Sequence, residues 1–435
     1  MVHRKLAART LAAGALALSL GIAACGGGGD DEGGGDAGGG QERQNTSFEL
    51  MIGDLVPLTG DLSVFGGPGQ AAADLAVEQI NQAAQQAGVQ TQVSVEHADT
   101  ETTEQAAVQA ARQLTGGGAT CLAGAWASAN TLAVANSLAI RQRTPLISPA
   151  STSAEITELD DNGFVWRTAP SDNLQAAALA NVIEEELGGA TGTISLAARN
   201  DAYGQGFVEQ FQQAWSEKGG QFTGDPVLYD PEQPSYNSEA GQIVADEPDA
   251  YVIIDFPETY TRMGAALVRT GEFDPGLMFT ADGLASDEIP EGVPAESLQG
   301  ARGTRPGTPE EGNVVAAFDE AFTEAGGERQ TFDAQNFDAV MLCYLGALAA
   351  GSPEGADIAE QLQAVSSPPG TKYNFTQLPQ AIEALGNGED IDFDGVTGPL
   401  DFDDNGDPTA ATYEVYEYGE DGALEVLRQF QAEQR

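Results

Sequence analysis

The sequence is poor in basic residues, histidine and cysteine. Its 435 residues include 67 Asp and Glu against 18 Lys and Arg, for a formal net charge of -49 at pH 7. A chain this acidic repels phosphate backbones and anionic lipid surfaces, which argues against binding to nucleic acid or to a membrane through charge. With only two histidines and three cysteines, the composition also argues against a zinc site built from Cys and His.

Long apolar runs are also scarce, and the one at the N-terminus is short. The apolar run 11–24 spans about fourteen residues, too few to cross a bilayer, and three basic residues precede it. This pattern is typical of a secretory signal. The run ends in Ile22-Ala23-Ala24-Cys25, which is similar to a bacterial lipobox. That similarity implies a signal peptide over 1–25 and lipidation of Cys25, with an ordinary signal cleaved after Ala24 as the alternative.

Residues 26–46 form a segment rich in glycine and aspartate. Because it has almost no apolar side chain, this segment has nothing to pack into a core. We therefore expect a flexible tether between a lipid anchor and a folded domain. Anchor and tether together predict an extracytoplasmic protein, held at the outer face of the cytoplasmic membrane or in the periplasm.

The folded part begins near Phe48 and repeats one pattern. Short apolar stretches alternate with stretches of helical period, which predicts an α/β fold with parallel strands and helices on both faces. The pattern restarts after residue 168, with a loop at 199–206, so we expect two lobes facing a cleft. Residues 303–306 read as a return crossing. The predicted lobes are 47–168 with 304–399, and 169–303 with 400–435.

Two hydroxyl-rich loops lie between residues 120 and 157. One contains Ser128 after the strand 120–124, and the other contains Ala150 and Thr152 after the strand 145–147. Because a helical run joins the strands, both loops belong at the carboxyl edge of one parallel sheet, where ligands of such sheets bind. Hydroxyl and backbone N–H groups there suit a small carboxylate. Ordinary helix caps are the alternative, since Ser and Thr are common in that role.

Several motifs occur in an order that resembles one family. They are Pro57-Leu58-Thr59-Gly60, Phe65-Gly66, Ser128, Ile147-Ser148-Pro149-Ala150-Ser151-Thr152, Arg167-Thr168, Asp201-Ala202-Tyr203-Gly204-Gln205-Gly206, Asn336-Phe337-Asp338-Ala339 and Gly398-Pro399-Leu400-Asp401-Phe402. From about residue 48 onward, the chain resembles the leucine/isoleucine/valine-binding group of solute-binding proteins, the capture subunits of ABC importers. The resemblance implies the periplasmic binding protein type I fold, with two doubly wound parallel-sheet lobes joined by three hinge crossings.

The resemblance also implies the ligand-binding residues. They are Phe65, Ser128, Ala150, Thr152, Tyr203, Phe256 and Asp282. By this correspondence the Ser128 hydroxyl and the backbone of Ala150 and Thr152 hold a ligand carboxylate. The ligand ammonium lies against Asp282, and the three aromatic rings complete the site. The amino-acid binders of the family carry Glu at the position of Asp282, so the loss of one methylene leaves the ligand size open.

These features predict a monomeric, lipid-anchored solute-binding subunit of an ABC importer that captures a small amino acid, branched-chain or otherwise apolar. Permease and ATPase partners on other chains are implied by the resemblance. The alternatives are another small carboxylate, amide or aromatic acid as ligand, or a ligand-sensing module of the same fold. A sensory receptor would need a membrane-spanning segment after the binding domain, and the sequence shows none before Arg435.

No catalytic constellation is visible in the sequence. His97 falls in a predicted strand, and no Ser/His/Asp or Cys/His set accompanies it, so we expect neither enzyme activity nor a cofactor. Residues 401–406 are similar to the start of an EF-hand loop, but the twelfth position is Thr412, so a turn without a metal is preferred. Cys121 and Cys343 fall in the same predicted lobe, and either a disulfide or two separate buried thiols fits.

Overall fold

The computed structural model describes residues 47–287, 292–310, 312–420 and 422–434. The predicted signal peptide 1–25, the lipidation site Cys25 and the tether 26–46 lie outside the described residues. Within the described ranges, no helix has both the length and the apolar character that crossing a membrane requires.

Strands and helices alternate along the chain. The strands are β1 (Ser47–Val56), β2 (Gln90–Asp99), β3 (Cys121–Ala123), β4 (Leu146–Ser148), β5 (Val165–Arg167), β6 (Thr193–Arg199), β7 (Gln221–Phe222), β8 (Val227–Tyr229), β9 (Ala250–Ile254), β10 (Met278–Thr280), β11 (Arg302–Pro306), β12 (Thr371–Tyr373), β13 (Ile391–Gly395), β14 (Gly398–Pro399), β15 (Ala410–Tyr418) and β16 (Leu424–Glu433). The helices are α1 (Gly66–Ala87), α2 (Glu104–Gly117), α3 (Ser128–Val134), α4 (Ile140–Gln142), α5 (Ala154–Thr157), α6 (Asp172–Leu187), α7 (Ala202–Glu217), α8 (Asn237–Ile243), α9 (Pro257–Thr270), α10 (Asn313–Glu324), α11 (Asp333–Ala350), α12 (Gly355–Ala359), α13 (Leu362–Ser366) and α14 (Leu378–Gly386).

The first sheet has the strand order β2-β1-β3-β4-β5 and is parallel throughout. Successive side chains of a strand point to opposite faces, so each strand supplies two cores. Ile52 and Ile147 pack with α1 and α11 in one core, whereas Leu55 and Leu122 pack with α2 and α3 in the other. Helices therefore cover both faces, in the doubly wound arrangement that the sequence predicts.

The second sheet has the order β16-β15-β11-β10-β9-β6-β7, and β8 also pairs with β6. The pairs from β7 to β11 are parallel, but β15 is antiparallel to both β11 and β16. The parallel strands of the predicted second lobe are present, and the antiparallel strands β15 and β16 extend the sheet at one edge. The connection between β15 and β16 is too short to return the chain for a parallel pairing, so these strands form a hairpin.

The chain passes between the two sheets three times: after β5, after β11, and between β14 and β15. The predicted return crossing at 303–306 is wrong, because these residues form β11 and pair with both β10 and β15. The space beside Gly303 holds the Tyr416 ring, and a Cβ added at Gly303 would lie 2.5 Å from it. The chain therefore stays in the second sheet as far as Pro306. The predicted boundary, at which the chain returns to the first lobe at residue 304, is too early.

An ion pair keeps the segment after β14 on the first sheet. Arg167 Nε donates to Asp407 Oδ1 at 2.6 Å and Nη2 donates to Asp407 Oδ2 at 2.5 Å, and both side chains are buried. The backbone N–H of Arg167 also donates to the carbonyl of Gly406 at 3.0 Å. Because breaking a buried bidentate pair is strongly destabilising, this contact fixes where the third crossing begins. The predicted lobe boundary at 400 is therefore several residues early.

A disulfide joins Cys121 of β3 to Cys343 of α11, with 5.9 Å between their Cα atoms. The structure thus answers the question that the sequence left open between a bridge and two thiols. The two cysteines are 222 positions apart, so the bond connects the sheet to a helix that follows strands β6 to β11 of the second sheet in the chain. It stabilises the assembly of the first lobe from separate parts of the chain.

We predict that the Cys121→Ala/Cys343→Ala variant loses about 3–5 kcal/mol of unfolding free energy, because a long loop is no longer closed in the unfolded chain. Guanidinium denaturation measures this loss. Dithiothreitol should lower the midpoint of the wild-type protein to that of the double variant and leave the variant itself unchanged. Equal midpoints before reduction would contradict the assigned bond.

Candidate functional site

A small closed cavity lies between the carboxyl ends of the two sheets. Its lining residues are Leu62, Phe65, Trp126, Ser128, Ala150, Tyr203, Phe256, Asp282, Gly283 and Phe332. Its volume is about 10 Å³, which is about the space of one water position. Every predicted site residue lines this cavity except Thr152. The structure therefore brings together residues from the loops after β1, β3, β4, β6, β9 and β10.

Hydroxyl groups hold the first-lobe loops in place. Ser128 begins α3, and its Oγ accepts the N–H of Ser153 at 3.2 Å. Ser148 Oγ accepts the N–H of Ser151 at 3.0 Å and donates to the carbonyl of Ala125 at 2.5 Å. These bonds fix the loop after β4 against the loop after β3, with Ala150 on the cavity wall.

Arg167 orients the backbone of the same loop. Its Nη1 donates to the carbonyl oxygens of Ser151 at 3.3 Å and Ser153 at 2.9 Å. The N–H of Thr152 belongs to the same planar peptide unit as the Ser151 carbonyl, so it points away from the guanidinium. The prediction for Thr152 concerned this backbone group. The Thr152 side chain is buried and lies beside the Asp172 carboxyl. Its hydroxyl oxygen forms no hydrogen bond with good geometry.

Tyr203 and Asp282 meet on the second-lobe side. The Tyr203 hydroxyl donates to Asp282 Oδ1 at 3.2 Å and accepts the N–H of Gly283 at 3.1 Å. The predicted loop 199–206 is partly wrong, because α7 begins at Ala202. Asp201 caps that helix by accepting the N–H groups of Tyr203 at 3.1 Å and Gly204 at 3.0 Å. Tyr203 is thus held in a first helical turn rather than in a loop.

A second carboxyl, Asp172, adjoins this site and was missed by the sequence analysis. Asp172 and Asp282 are both buried. Burial raises the pKa of Asp282 to about 7, although the Tyr203 hydroxyl partly offsets this. Burial and then the charge of Asp282 raise the pKa of Asp172 well above its ordinary value. In the sequence, Asp172 directly follows Ser171 at the start of a helix, where an acidic residue is common. The sequence therefore gives no sign that its carboxyl lies beside the ligand site.

Aromatic rings enclose the rest of the cavity. Tyr203 and Phe256 are stacked, with centroids 5.2 Å apart, and both were predicted. Phe332 was not predicted, and its ring meets those of Phe65 at 6.4 Å and Trp126 at 6.2 Å edge to face. The φ angle of Phe332 is 74°, a strained value for a bulky residue and one often found at functional sites.

The acidic residues after β14 form a turn. Asp403 Oδ1 accepts the N–H groups of Asn405 at 2.8 Å and Asp407 at 3.1 Å, while the Asp407 side chain binds Arg167. These carboxylates stabilise the turn and the hinge. Across the part of the chain that the structure describes, no group of three or more His, Cys, Asp or Glu side chains is placed to hold a metal ion.

Comparison with known proteins places the chain among binding proteins. Residues 49–423 match the periplasmic binding protein family. The chain is 25% identical over 363 residues to the chemotactic signal transduction system substrate-binding protein BasB of Halobacterium salinarum. That alignment covers 80% of this chain and 82% of BasB.

Solved structures share the fold. The branched-chain amino acid transporter substrate-binding protein LivJ from Streptococcus pneumoniae, in complex with isoleucine, has a TM-score of 0.70 and 20% identity, covering 89% of this chain and 100% of LivJ. An ABC transporter solute-binding protein from R. palustris, in complex with 4-hydroxybenzoate, has a TM-score of 0.69 and 14% identity, covering 89% of this chain and 97% of the other. The predicted fold is confirmed. Because the family match spans both sheets and the cavity between them, this chain belongs to the periplasmic binding protein family, as a solute-binding protein of the leucine/isoleucine/valine-binding type.

Proposed function

We propose that this protein captures a small amino acid with an apolar side chain and delivers it to the permease and ATPase of an ABC importer. The observation that carries the proposal is the polarity of one closed cavity. It has a neutral hydroxyl donor, Ser128, on the first-lobe side, the buried carboxyl of Asp282 on the second-lobe side and aromatic rings between them. A lipid on Cys25 would hold the monomeric protein at the outer face of the membrane.

The first-lobe side suits the ligand carboxylate. Ser128 Oγ already accepts a hydrogen bond from Ser153, so its own proton is available for donation. The N–H of Thr152, directed away from Arg167, is a second donor, and Ala150 of the same loop lies on the cavity wall. Hydrogen bonds from neutral donors to a charged carboxylate are about twice as strong as those between neutral groups.

The second-lobe side suits the ligand ammonium. Asp282 and Asp172 are desolvated together, and each one disfavours the charge of the other. An ammonium placed against them supplies the missing positive charge. A buried carboxylate without a positively charged partner is unfavourable. The ligand ammonium therefore removes an electrostatic cost that is already present in the free protein.

Ligand binding and closure follow from the same geometry. Ser128 and Ala150 lie on the first lobe, whereas Tyr203 and Asp282 lie on the second. A ligand that touches both sides binds the closed state more tightly than the open one. This difference in affinity is what drives the lobes together, and the closed shape is what a transporter would recognise.

A hydroxylated aromatic acid is the second candidate ligand. Phe65, Trp126, Phe256 and Phe332 form an aromatic wall, and a phenolic hydroxyl could donate to Asp282 where an ammonium otherwise would. The 4-hydroxybenzoate complex of the R. palustris protein supports this candidate. The similarity to BasB, a substrate-binding protein of a chemotactic signal transduction system, supports a different use of the same site, in which the captured ligand is sensed rather than imported.

L-Leucine at a hundred times its dissociation constant should stabilise the purified protein by about 2.7 kcal/mol. The matched control is 4-methylpentanoate, which has the same carbon skeleton without the amino group. It should give no shift, because it leaves both carboxyls without a cation. A thermal-shift screen with leucine, isoleucine, valine, 4-methylpentanoate and 4-hydroxybenzoate tests this. A shift from 4-hydroxybenzoate and none from any amino acid would overturn the proposal in favour of the second candidate.

We expect Asp282→Asn to weaken leucine binding about 100-fold or more, because it removes the charge that pairs with the ammonium. The same change should raise the melting temperature of the free protein by about 2–4 °C at pH 8, because one buried charge disappears. Asp225→Asn, at an exposed carboxylate elsewhere in the second lobe, should do neither. A variant that loses both binding and stability would assign Asp282 a purely structural role.

Leucine affinity should also fall as the pH drops below about 7, up to about tenfold per pH unit. The Asp282 carboxyl of the free protein, with its pKa of about 7, is protonated there, and binding an ammonium must release that proton. The free protein holds more protons than its unfolded chain between about pH 4 and 7, so its stability should fall as the pH rises through that window. Calorimetry in buffers of different ionisation enthalpy measures the proton release. A dissociation constant unchanged from pH 5 to 8 would refute the assignment.

A further inference from the structure

We propose that Asp61 is a positioning residue for ligand capture, because it forms a latch with Arg199 and Thr259 that exists only while the cleft is closed. This inference rests on the proposed function, because the ligand is retained by closure of the cleft. Asp61 belongs to the loop after β1, on the first lobe. Arg199 ends β6, and Thr259 lies in the first turn of α9, so both partners belong to the second lobe.

Asp61 forms several hydrogen bonds to the second lobe at once. Asp61 Oδ2 accepts from Arg199 Nη2 at 3.1 Å and from the Thr259 hydroxyl at 3.0 Å. The Asp61 carbonyl also accepts the N–H of Glu258 at 3.5 Å. One first-lobe residue is thus bound by side chains and backbone of the opposite lobe, and opening the cleft must break all these contacts together.

Arg199 is held in position by the second lobe alone. Its Nε donates to Asp201 Oδ2 at 2.5 Å, its Nη1 lies 3.8 Å from Asp255 Oδ1, and Nη1 also donates to the Thr259 hydroxyl at 3.3 Å. Only Asp61, among these carboxylates, comes from the first lobe. Because Arg199 is already fixed, closing the latch orders few additional torsions, which lowers its entropic cost.

The latch is continuous with the ligand site. The Arg199 guanidinium lies 3.7 Å from the centre of the Phe256 ring, and that ring is stacked on Tyr203. Tyr203 in turn donates to Asp282, the proposed partner of the ligand ammonium. The residues that receive Asp61 and those that receive the ligand therefore form one packed stack, so both depend on the same closed arrangement of the two lobes.

The expected size of the effect follows from the burial of the pair. The Arg199 side chain is 4% exposed, but that of Asp61 is 30% exposed. Such a pair is stronger than an ion pair between exposed side chains and weaker than a fully buried one. We expect its removal to speed ligand release about fivefold, since most effects of this kind appear in the dissociation rate.

The first test measures the binding kinetics of L-leucine by stopped-flow fluorescence in wild-type protein, Asp61→Ala, Asp61→Glu and the control Asp160→Ala. Asp160 is an exposed first-lobe carboxylate and removes the same charge elsewhere. Asp61→Ala should raise the dissociation rate about fivefold, change the association rate less than about twofold and leave the melting temperature of the free protein unchanged. Asp61→Glu should restore part of the slow release, because it returns a carboxylate to the latch. A dissociation rate equal to that of wild type in Asp61→Ala would overturn the proposal.

The second test needs no ligand. Asp61→Cys/Thr259→Cys should form an intramolecular disulfide on treatment with diamide, which oxidises the two thiols, and peptide mass spectrometry detects the bond. The control is Asp160→Cys/Thr259→Cys. Cross-linking no faster than in the control would show that the two sides of the latch do not meet, and would overturn the proposal. Because this result is independent of leucine, it separates failure of the latch from failure of the proposed ligand.

Discussion

The site depends on two carboxyls, Asp172 and Asp282, that are buried together in a closed cleft and form no ion pair of their own. The nearby guanidinium groups are committed elsewhere: Arg167 to Asp407, and Arg199 to Asp61 and Asp201. Burial therefore raises the pKa of both Asp172 and Asp282, and the charge of Asp282 raises that of Asp172 further. In the proposed function, a ligand ammonium supplies the positive charge that Asp282 lacks, and the expected pH dependence of binding follows from this pairing.

The two lobes contribute to capture in different ways. The first lobe is a preformed donor platform, because hydroxyl bonds, Arg167 and the disulfide between Cys121 and Cys343 fix its loops before any ligand arrives. The second lobe brings the acid and the stacked rings of Tyr203 and Phe256. We propose that a ligand bound between these donors and the acidic second lobe brings the two lobes together.

Much of the fold follows from local pattern. Alternation of apolar and helical stretches predicts parallel sheets, and the end of each strand predicts where Ser128 and Ala150 lie. The order of motifs adds Tyr203, Phe256 and Asp282, which the structure places on one cavity. What pattern does not reveal is set by long-range packing. Phe332 reaches the cavity through a strained backbone far along the chain, and 303–306 is a strand that pairs with β15, more than a hundred residues later.

The central claim concerns the orientation of a zwitterion between the two lobes. A crystal structure of the complex with L-leucine at pH 7 tests it most directly. The account predicts the ligand carboxylate within hydrogen-bond distance of Ser128 Oγ and of the Thr152 N–H, and the ammonium within about 3 Å of Asp282. A ligand bound in the reverse direction, or an ammonium beyond about 4 Å from both Asp172 and Asp282, would contradict it.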